Sequence, residues 1–328
     1  MGEPPLRSLA ELARVTASFT AEDRLRSWRA VLTTGALTVV ALVAAASRIP
    51  WMIRLPVSLF TTFLFVRMFV LYHDFEHGAI LRGSRLARIL LTPFGLFILS
   101  PPSIWNRLHN YHHSHNCQFA TSGVGSFPVM TVGEYRAASR SQRAWYRVIR
   151  SPWSMLFAYF GIFLVGFCAK SFRDEPGSHR DSLAALALHA ALVAVYAHFG
   201  LDTLLYGYLG PIMCTHAIGA YLFYAQHNYP GVKLRPRQSW DYVYAAVHSS
   251  SFMDGSRIVR WFTANIGYHH VHHLNPRIPF YRLPEAMAAV PELQQAGRTS
   301  LKVRDIAACL RLKLWDPGRG RMVGYPTT

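Results

Sequence analysis

Leu55–Gly78 reads LPVSLFTTFLFVRMFVLYHDFEHG, an apolar run from Leu55 to Tyr72 that closes at once on a histidine pair, His73-x-x-x-His77. A run of that length is at the short end of what crosses a hydrocarbon core of roughly 30 Å. Val31–Ser47 is a second such run, and the intervening Arg48-Ile49-Pro50-Trp51 is a tight turn, so the two predict a membrane hairpin. Arg67 alone breaks the second run, and a side chain that snorkels to the interface accounts for it. The whole chain agrees with this reading. Of its 328 residues 51% are hydrophobic and 16% are charged, which excludes ordinary soluble and disordered classes. Four scattered cysteines, Cys117, Cys168, Cys214 and Cys309, form no C-x-x-C pair, so neither a disulfide scaffold nor a thiolate zinc site is expected.

Four further apolar stretches follow, at 89–99, 153–169, 183–199 and 204–224. Histidine clusters lie before, between and after them. If those clusters meet at one site, an even number of crossings must separate them. We therefore expect 183–199 and 204–224 to cross, joined by Gly200-Leu201-Asp202-Thr203, and 89–99 and 153–169 to dip into the membrane or lie on it. With spans near 31–47, 55–72, 183–199 and 204–224, all but Arg48, Arg54 and Arg67 of the 34 Lys and Arg fall on one side, which predicts that side to be cytoplasmic. The N-terminal segment lacks a continuous apolar core and a small-residue cleavage site, so it is expected to remain uncleaved and inside. The expected fold is an all-α integral membrane protein with four transmembrane helices in two hairpins and a helical cytoplasmic cap. Residues 1–30 and 284–328 are its cytoplasmic terminal segments.

Histidine is the unusual residue, at 16 copies. Its clusters are His73-x-x-x-His77, His109-x-x-His112-His113, a single His227 in FYAQHNYP, and His269-x-x-His272-His273. H-x-x-H-H would arise by accident about 0.04 times in such a chain, and it occurs twice. On a helix, residues three and four apart share a face, so each set can aim two or three imidazoles at a common point. Eight or nine imidazoles exceed one tetrahedral sphere, so two metal ions are the economical reading. There is no Glu-x-x-His pair of the kind soluble carboxylate di-iron bundles use. The site is expected to be all-histidine. His179, His189, His198 and His216 are isolated and read as packing or interfacial residues, while His115, His248 and His270 stay open, with His270 one residue off the third face.

Three boxes, H-x-x-x-H, H-x-x-H-H and H-x-x-H-H, around two membrane hairpins resemble the membrane fatty acid desaturase family. WNRLHNYHH, FYAQHN and NIGYHHVHHLNPRIPFYRLPEA resemble its acyl-lipid subgroup, and the likeness runs from about Leu55 to Leu283. The resemblance implies a desaturase domain over 31–283 with a di-iron site in the cap. It implies iron ligands at His73, His77, His109, His112, His113, His227, His269, His272 and His273. It implies two Fe ions, dioxygen as co-substrate, and a cis double bond formed in an acyl chain. Box one departs from the subgroup in holding Phe75 and Glu76 between its histidines. Asp74, Glu76, Gln226 and Asn265 are candidates to orient ligand imidazoles through the other ring nitrogen, and Ser249, Ser250 and Ser251 match a polar stretch near the family's site.

An unactivated methylene cannot be deprotonated by any side chain, so the oxidation belongs to the metal. No haem-, flavin- or iron–sulfur-binding sequence is present, so electrons are expected from an external ferredoxin or cytochrome b5 type donor. Arg136, Arg140, Arg143, Arg147 and Arg150 would dock it, or else hold anionic lipid headgroups. A membrane lipid or acyl substrate is expected, and no nucleic acid. A hydroxylase or ketolase of the same architecture remains the alternative, because hydroxylation and desaturation diverge only after the first hydrogen is removed. A metal transporter would string its ligands along the spans, whereas here they gather at span ends.

Overall fold

The computed structural model describes residues 6–119 and 126–326. The described residues are mostly helical, with three two-stranded ribbons among them outside the long helices: Gln118–Phe119 with Arg235–Pro236, Phe252–Asp254 with Arg298–Ser300, and Leu314–Asp316 with Arg321–Val323. Among the described residues three helices are long and apolar enough to cross a membrane: Arg24–Ala46, Trp51–Glu76 and Arg180–His198. A fourth candidate is the pair Arg85–Phe97 and Pro102–Ser114, bent by 84° as a broken span or re-entrant loop would be. The region expected to cross at 204–224 is one helical rod over 201–227, interrupted by a π-helical turn at Leu205–Leu209.

The helices outrun the apolar stretches that announced them. Arg24–Ala46 starts seven residues early because Asp23 caps it, accepting from the Arg26 N–H. Trp51–Glu76 continues through box one and stops where Gly78, at φ +67°, takes the left-handed conformation that ends a helix. These two helices pack along their length. The Gly210–His227 helix packs against the second of them, and Thr62 and Thr215 hydroxyls bond to backbone across that contact.

Polar contacts fix which ends lie together. At the end away from the histidines Arg54 is buried, 4.0 Å from Asp202 and over the Tyr206 ring, so the turns near Pro50 and Asp202 are neighbours. At the histidine end Glu175 pairs with Arg107 at 2.9 Å, and Asp181 and His179 bond to Ser103. Arg150, at the other flank of the 152–174 segment, donates to the Asn228 side chain at 2.7 Å. Both flanks of that segment are therefore tied close to clustered histidines, one through Arg107, two residues before His109, and the other through Asn228, beside His227. Arg67 does not snorkel. It is 6% exposed, donates to Thr34 Oγ1 and the Trp261 carbonyl, and lies over the Trp261 ring. Pairing with backbone and an aromatic face lets a cation stay buried where no carboxylate is near.

Candidate metal centre

Four chain segments bring the histidines together. His73 and His77 stand one turn apart at the end of Trp51–Glu76. His109 closes a π-helical turn, Trp105–His109, that runs into the helix Asn110–Ser114 carrying His112 and His113. Such π turns recur at functional sites because the wider turn re-aims the side chains after it. His227 ends Gly210–His227, and His269–Leu274 carries the last three.

The nine predicted ligands form two groups, His73, His77, His109, His113 and His272 in one, and His112, His227, His269 and His273 in the other. Within each group the ligand nitrogens lie within 4.8 Å of one another. The boxes do not each aim at one point, as their spacing suggested. His109 and His113 serve the first group while His112 serves the second, and box three mirrors this, with His269 and His273 in the second and His272 in the first. The i and i+4 positions of each H-x-x-H-H share a centre and the i+3 position reaches across to the other, so two crossed short helices build two neighbouring centres.

Nε2 faces Nε2 throughout. His77–His109 is 2.9 Å, His109–His113 3.0 Å, His113–His272 3.0 Å, His227–His269 2.9 Å, His269–His273 3.1 Å and His112–His273 3.2 Å. A metal bound at about 2.1 Å to two nitrogens at right angles sets them about 3.0 Å apart. Hydrogen bonding alone serves the cluster poorly, because each neutral ring has one proton, and Nδ1 of His113, His269, His272 and His273 is buried with no protein partner. Burial foremost, then the neighbouring imidazoles, holds His269, His272 and His273 well below the ordinary histidine range, so they are neutral and can offer lone pairs. The donor set fits two metal ions that favour imidazole.

Two rings are oriented from behind. His73 Nδ1 is 3.2 Å from Asp74 Oδ1, while Asp74 Oδ2 accepts the Phe280 N–H at 2.7 Å. His227 Nδ1 is 3.3 Å from the Ser249 carbonyl, so a proton there leaves Nε2 free toward the group. Of the other orienting candidates, Glu76 is half-buried beside box one, within the influence of the Tyr72 hydroxyl and the Arg88 charge. Gln226 and Asn265 donate instead to the Ile266 and Phe280 carbonyls, bracing the loop before box three. In the serine stretch, Ser250 Oγ accepts from Asn116 and the Ser251 N–H bonds to the Gln226 carbonyl.

His270, buried one residue after His269 and two before His272, belongs to neither group. His189 bonds to the Tyr159 and Tyr208 hydroxyls and the Phe97 carbonyl, and His216 to the Ile212 and Ile98 carbonyls, as packing histidines do. His179 is more than a bland residue: it is buried, 2.8 Å from Ser103 Oγ and 3.0 Å from Arg107, and pins the segment that leads to His109. Arg150 is 1% exposed and cannot meet a partner protein, unlike its neighbours on the Arg140–Ile149 helix. Spacing missed Trp105, whose ring stacks on His109 at 3.9 Å and stands edge-on to His73, walling the first group. Its place four residues before His109 was the available signal. Tyr242, which donates to the His273 carbonyl at 2.6 Å, carried none.

Comparison with known proteins identifies the family. The family model described as fatty acid desaturase matches residues 49–304. A Bacillus subtilis (strain 168) protein named fatty acid desaturase is 31% identical over 283 residues, covering 84% of this chain and 79% of the relative. A protein of Picosynechococcus sp. (strain ATCC 27264 / PCC 7002 / PR-6) named sn-1 oleoyl-lipid 12-desaturase is 24% identical over 271 residues, covering 82% and 77%.

Proposed function

Because the chain belongs to the fatty acid desaturase family, we propose that it is a membrane acyl-lipid desaturase, with the nine grouped histidines as ligands of two irons. The observation that carries the proposal is the division of the histidines into two adjacent all-imidazole groups. In the overall reaction –CH2–CH2– and dioxygen, with two electrons and two protons, become –CH=CH– and two waters. Bound iron supplies the oxidation of the unactivated carbon–hydrogen bonds, which no side chain can perform.

The protein's own part is to hold, orient and dry. Asp74 and the Ser249 carbonyl keep Nδ1 of His73 and His227 protonated, so Nε2 points inward. Trp105 against His109, and Phe223 against His112 at 4.8 Å, place apolar rings beside each group. A cavity of 680 Å3 between the Trp51–Glu76 and Gly210–His227 helices has an almost wholly apolar lining, in the size range of about 300–1,000 Å3 usual for ligand sites. An acyl chain gains about 0.8 kcal/mol for each methylene it moves there from water.

The proposed topology places the histidine end, both termini and the 174–181 turn in the cytoplasm, with the turns near Pro50 and Asp202 outside. The contacts of Glu175 and Asp181 with Arg107 and Ser103 support an even number of crossings between the boxes. An external ferredoxin or cytochrome b5 type protein is the proposed electron donor. Expression in a host with only saturated and monounsaturated lipids, together with a reductase and carrier, followed by gas chromatography and mass spectrometry, tests the reading. A new double bond in lipid-bound chains is the expected result. Hydroxylated or keto products without it would move the protein to the hydroxylase class.

A further inference from the structure

Two stretches of the chain turn to water beside the histidines. Among the described residues no large apolar side chain is exposed between Leu90 and Trp145, nor between Leu205 and Ile258. The first stretch carries box two, and the second includes His227 and the chain that leads from it toward box three. A parallel ribbon, Gln118–Phe119 against Arg235–Pro236, fastens one to the other. The residues that leave box two therefore stand beside the 233–242 segment. Aromatic rings fill the join. Tyr111, directly before His112, lies over His115 with 3.9 Å between ring centres and 10° between planes. His115 is nearly parallel to the half-buried Trp240 at 6.5 Å, and Tyr242 stands edge-on to Trp240 at 6.3 Å. Two hydrogen bonds carry the set inward. Trp240 Nε1–H donates to the Asn116 carbonyl at 2.9 Å, and the Tyr242 hydroxyl donates to the His273 carbonyl at 2.6 Å. Trp240 is thus the partly exposed end of a continuous run of rings and hydrogen bonds that reaches box two on one side and His273 on the other.

Cations surround that exposed end. Lys233, Arg235 and Arg237 occupy one short segment, and its single acidic residue, Asp241, caps the helix Tyr242–His248. Among the described residues none of the three cations forms an ion pair, and Arg235 lies over the Tyr244 ring at 3.3 Å. The patch therefore keeps its positive charge for a partner. The other basic surface, the Arg140–Ile149 helix, is differently made. Trp145 is 66% exposed and Val148 56%, three residues apart on one face, and Trp153 follows at 66%. Exposed tryptophan and apolar side chains beside cations belong at the edge of a bilayer. Lipid takes that face, which leaves the 233–242 segment as the basic surface open to a water-soluble partner.

We propose that the surface formed by Lys233, Arg235, Arg237 and Trp240 is where an acidic one-electron carrier protein docks, and that its electrons enter through Trp240 toward the second histidine group. The inference rests on the desaturase reading for its need of a donor and deepens it by placing the contact. Two molecules of reduced carrier each give up one electron and are oxidised. With dioxygen and two protons, those two electrons complete the balance written above, in which the –CH2–CH2– unit supplies the other two. A patch of three cations around one aromatic ring suits such a partner, because electron-transfer encounters use small interfaces and rely on opposite charge for rapid association. Arrival over Trp240 sets the carrier against rings already bonded to the backbone of His273 and of the residues that leave box two.

The test uses the full chain in lipid nanodiscs, with an acidic [2Fe–2S] ferredoxin and a soluble cytochrome b5 domain as probes. Carbodiimide joins carrier carboxylates to lysine amines in contact with them, and the chain has only four lysines, Lys170, Lys233, Lys302 and Lys313. Peptide mass spectrometry should find the amide at Lys233. Cross-links confined to Lys170 or Lys302 would overturn the dock. Lys233→Glu with Arg237→Glu should weaken binding of the carrier about tenfold or more at low salt, with the difference shrinking as salt rises. Arg140→Glu with Arg143→Glu should leave it unchanged, and the opposite pattern would move the dock to that helix. For the route inward, stopped-flow absorbance follows oxidation of pre-reduced, saturating carrier by iron-loaded protein. At equal iron content Trp240→Leu should slow it several-fold and Trp240→Phe should restore it, whereas a wild-type rate in Trp240→Leu would overturn entry through Trp240. Product analysis separates this inference from the reading beneath it. A Lys233 cross-link and carrier oxidation without a new double bond retain the dock and reject the desaturase, while a double bond formed undiminished by the charge-reversed protein does the reverse.

Discussion

Gly267 precedes box three by two residues, and its replacement by alanine should disable the second histidine group from a position that touches no ligand. Its carbonyl accepts the Met253 N–H at 2.7 Å, so the two backbones are already as close as a hydrogen bond allows. A β-carbon on Gly267 would stand 2.5 Å from the Met253 carbonyl oxygen, where ordinary contact begins at 3.4 Å, a deficit of about 0.9 Å. Met253 cannot retreat, because its strand is paired with Arg298–Ser300 on the other side. Residue 267 must move instead, and with it Tyr268 and His269, whose Nε2 sits 2.9 Å from that of His227 and 3.1 Å from that of His273. Overpacking of this kind costs about 1–3 kcal/mol, and a ligand displaced by roughly 1 Å costs on the order of a hundredfold in rate. Gly267→Ala should therefore show a lower unfolding temperature, less than wild-type iron per chain, and product formation reduced about a hundredfold. Gly219→Ala is the comparator, since it lies in the helix that carries His227 but its β-carbon would meet nothing within 4 Å. Measuring iron, unfolding temperature and product on the same purified samples makes the comparison. A Gly267→Ala protein with wild-type iron content and turnover would refute the reasoning.

Three further outcomes are expected. His179→Ala should lower stability by about 1–2 kcal/mol through its lost bonds to Ser103 and Arg107, yet retain the wild-type iron-to-chain ratio; reduced iron would show that the segment before His109 depends on this anchor for its shape. A cysteine introduced at Asp202 should be labelled by an impermeant reagent from outside intact cells and one at Gly177 should not; labelling of Gly177 would mean that 152–174 crosses the membrane. The Arg7 guanidinium, bonded to Glu292 at 2.5 and 2.6 Å, holds that carboxyl below its usual range. A lowered folded-state value means that this contribution to stability is full above the unfolded carboxylate range and is lost as pH falls through the folded value. Unfolding profiles of wild type and Glu292→Gln should thus differ at neutral pH and converge in acid, and a constant difference down to pH about 2 would count against the pair.

Spacing made the metal site legible because helical geometry is local: three and four residues apart means one face, whatever the rest of the fold does. The same locality hid how the boxes are shared. That His112 and His272 each cross to the other group depends on how two short helices meet, and nothing within either box specifies it. His227 has no partner within its own helix turn, so it entered as a ligand through the family resemblance alone. Hydropathy found the long helices but shortened them, since Asp23 and Gly78 set their ends by capping rather than by apolarity. It also grouped Arg150 with exposed arginines of its helix, although the fold buries it against Asn228 and Tyr224. Long-range polar partners of this kind leave no periodic trace in a sequence.

The account turns on two metal centres built from nine imidazoles. The most direct measurement is the metal content of the purified full-length protein after anaerobic reconstitution with ferrous iron, set beside His112→Ala and His272→Ala variants. Two irons per chain in the wild type is predicted, with each variant losing iron, because each removes a ligand that one helix lends to the other's centre. One iron per chain, or stoichiometric zinc with no iron, would contradict it.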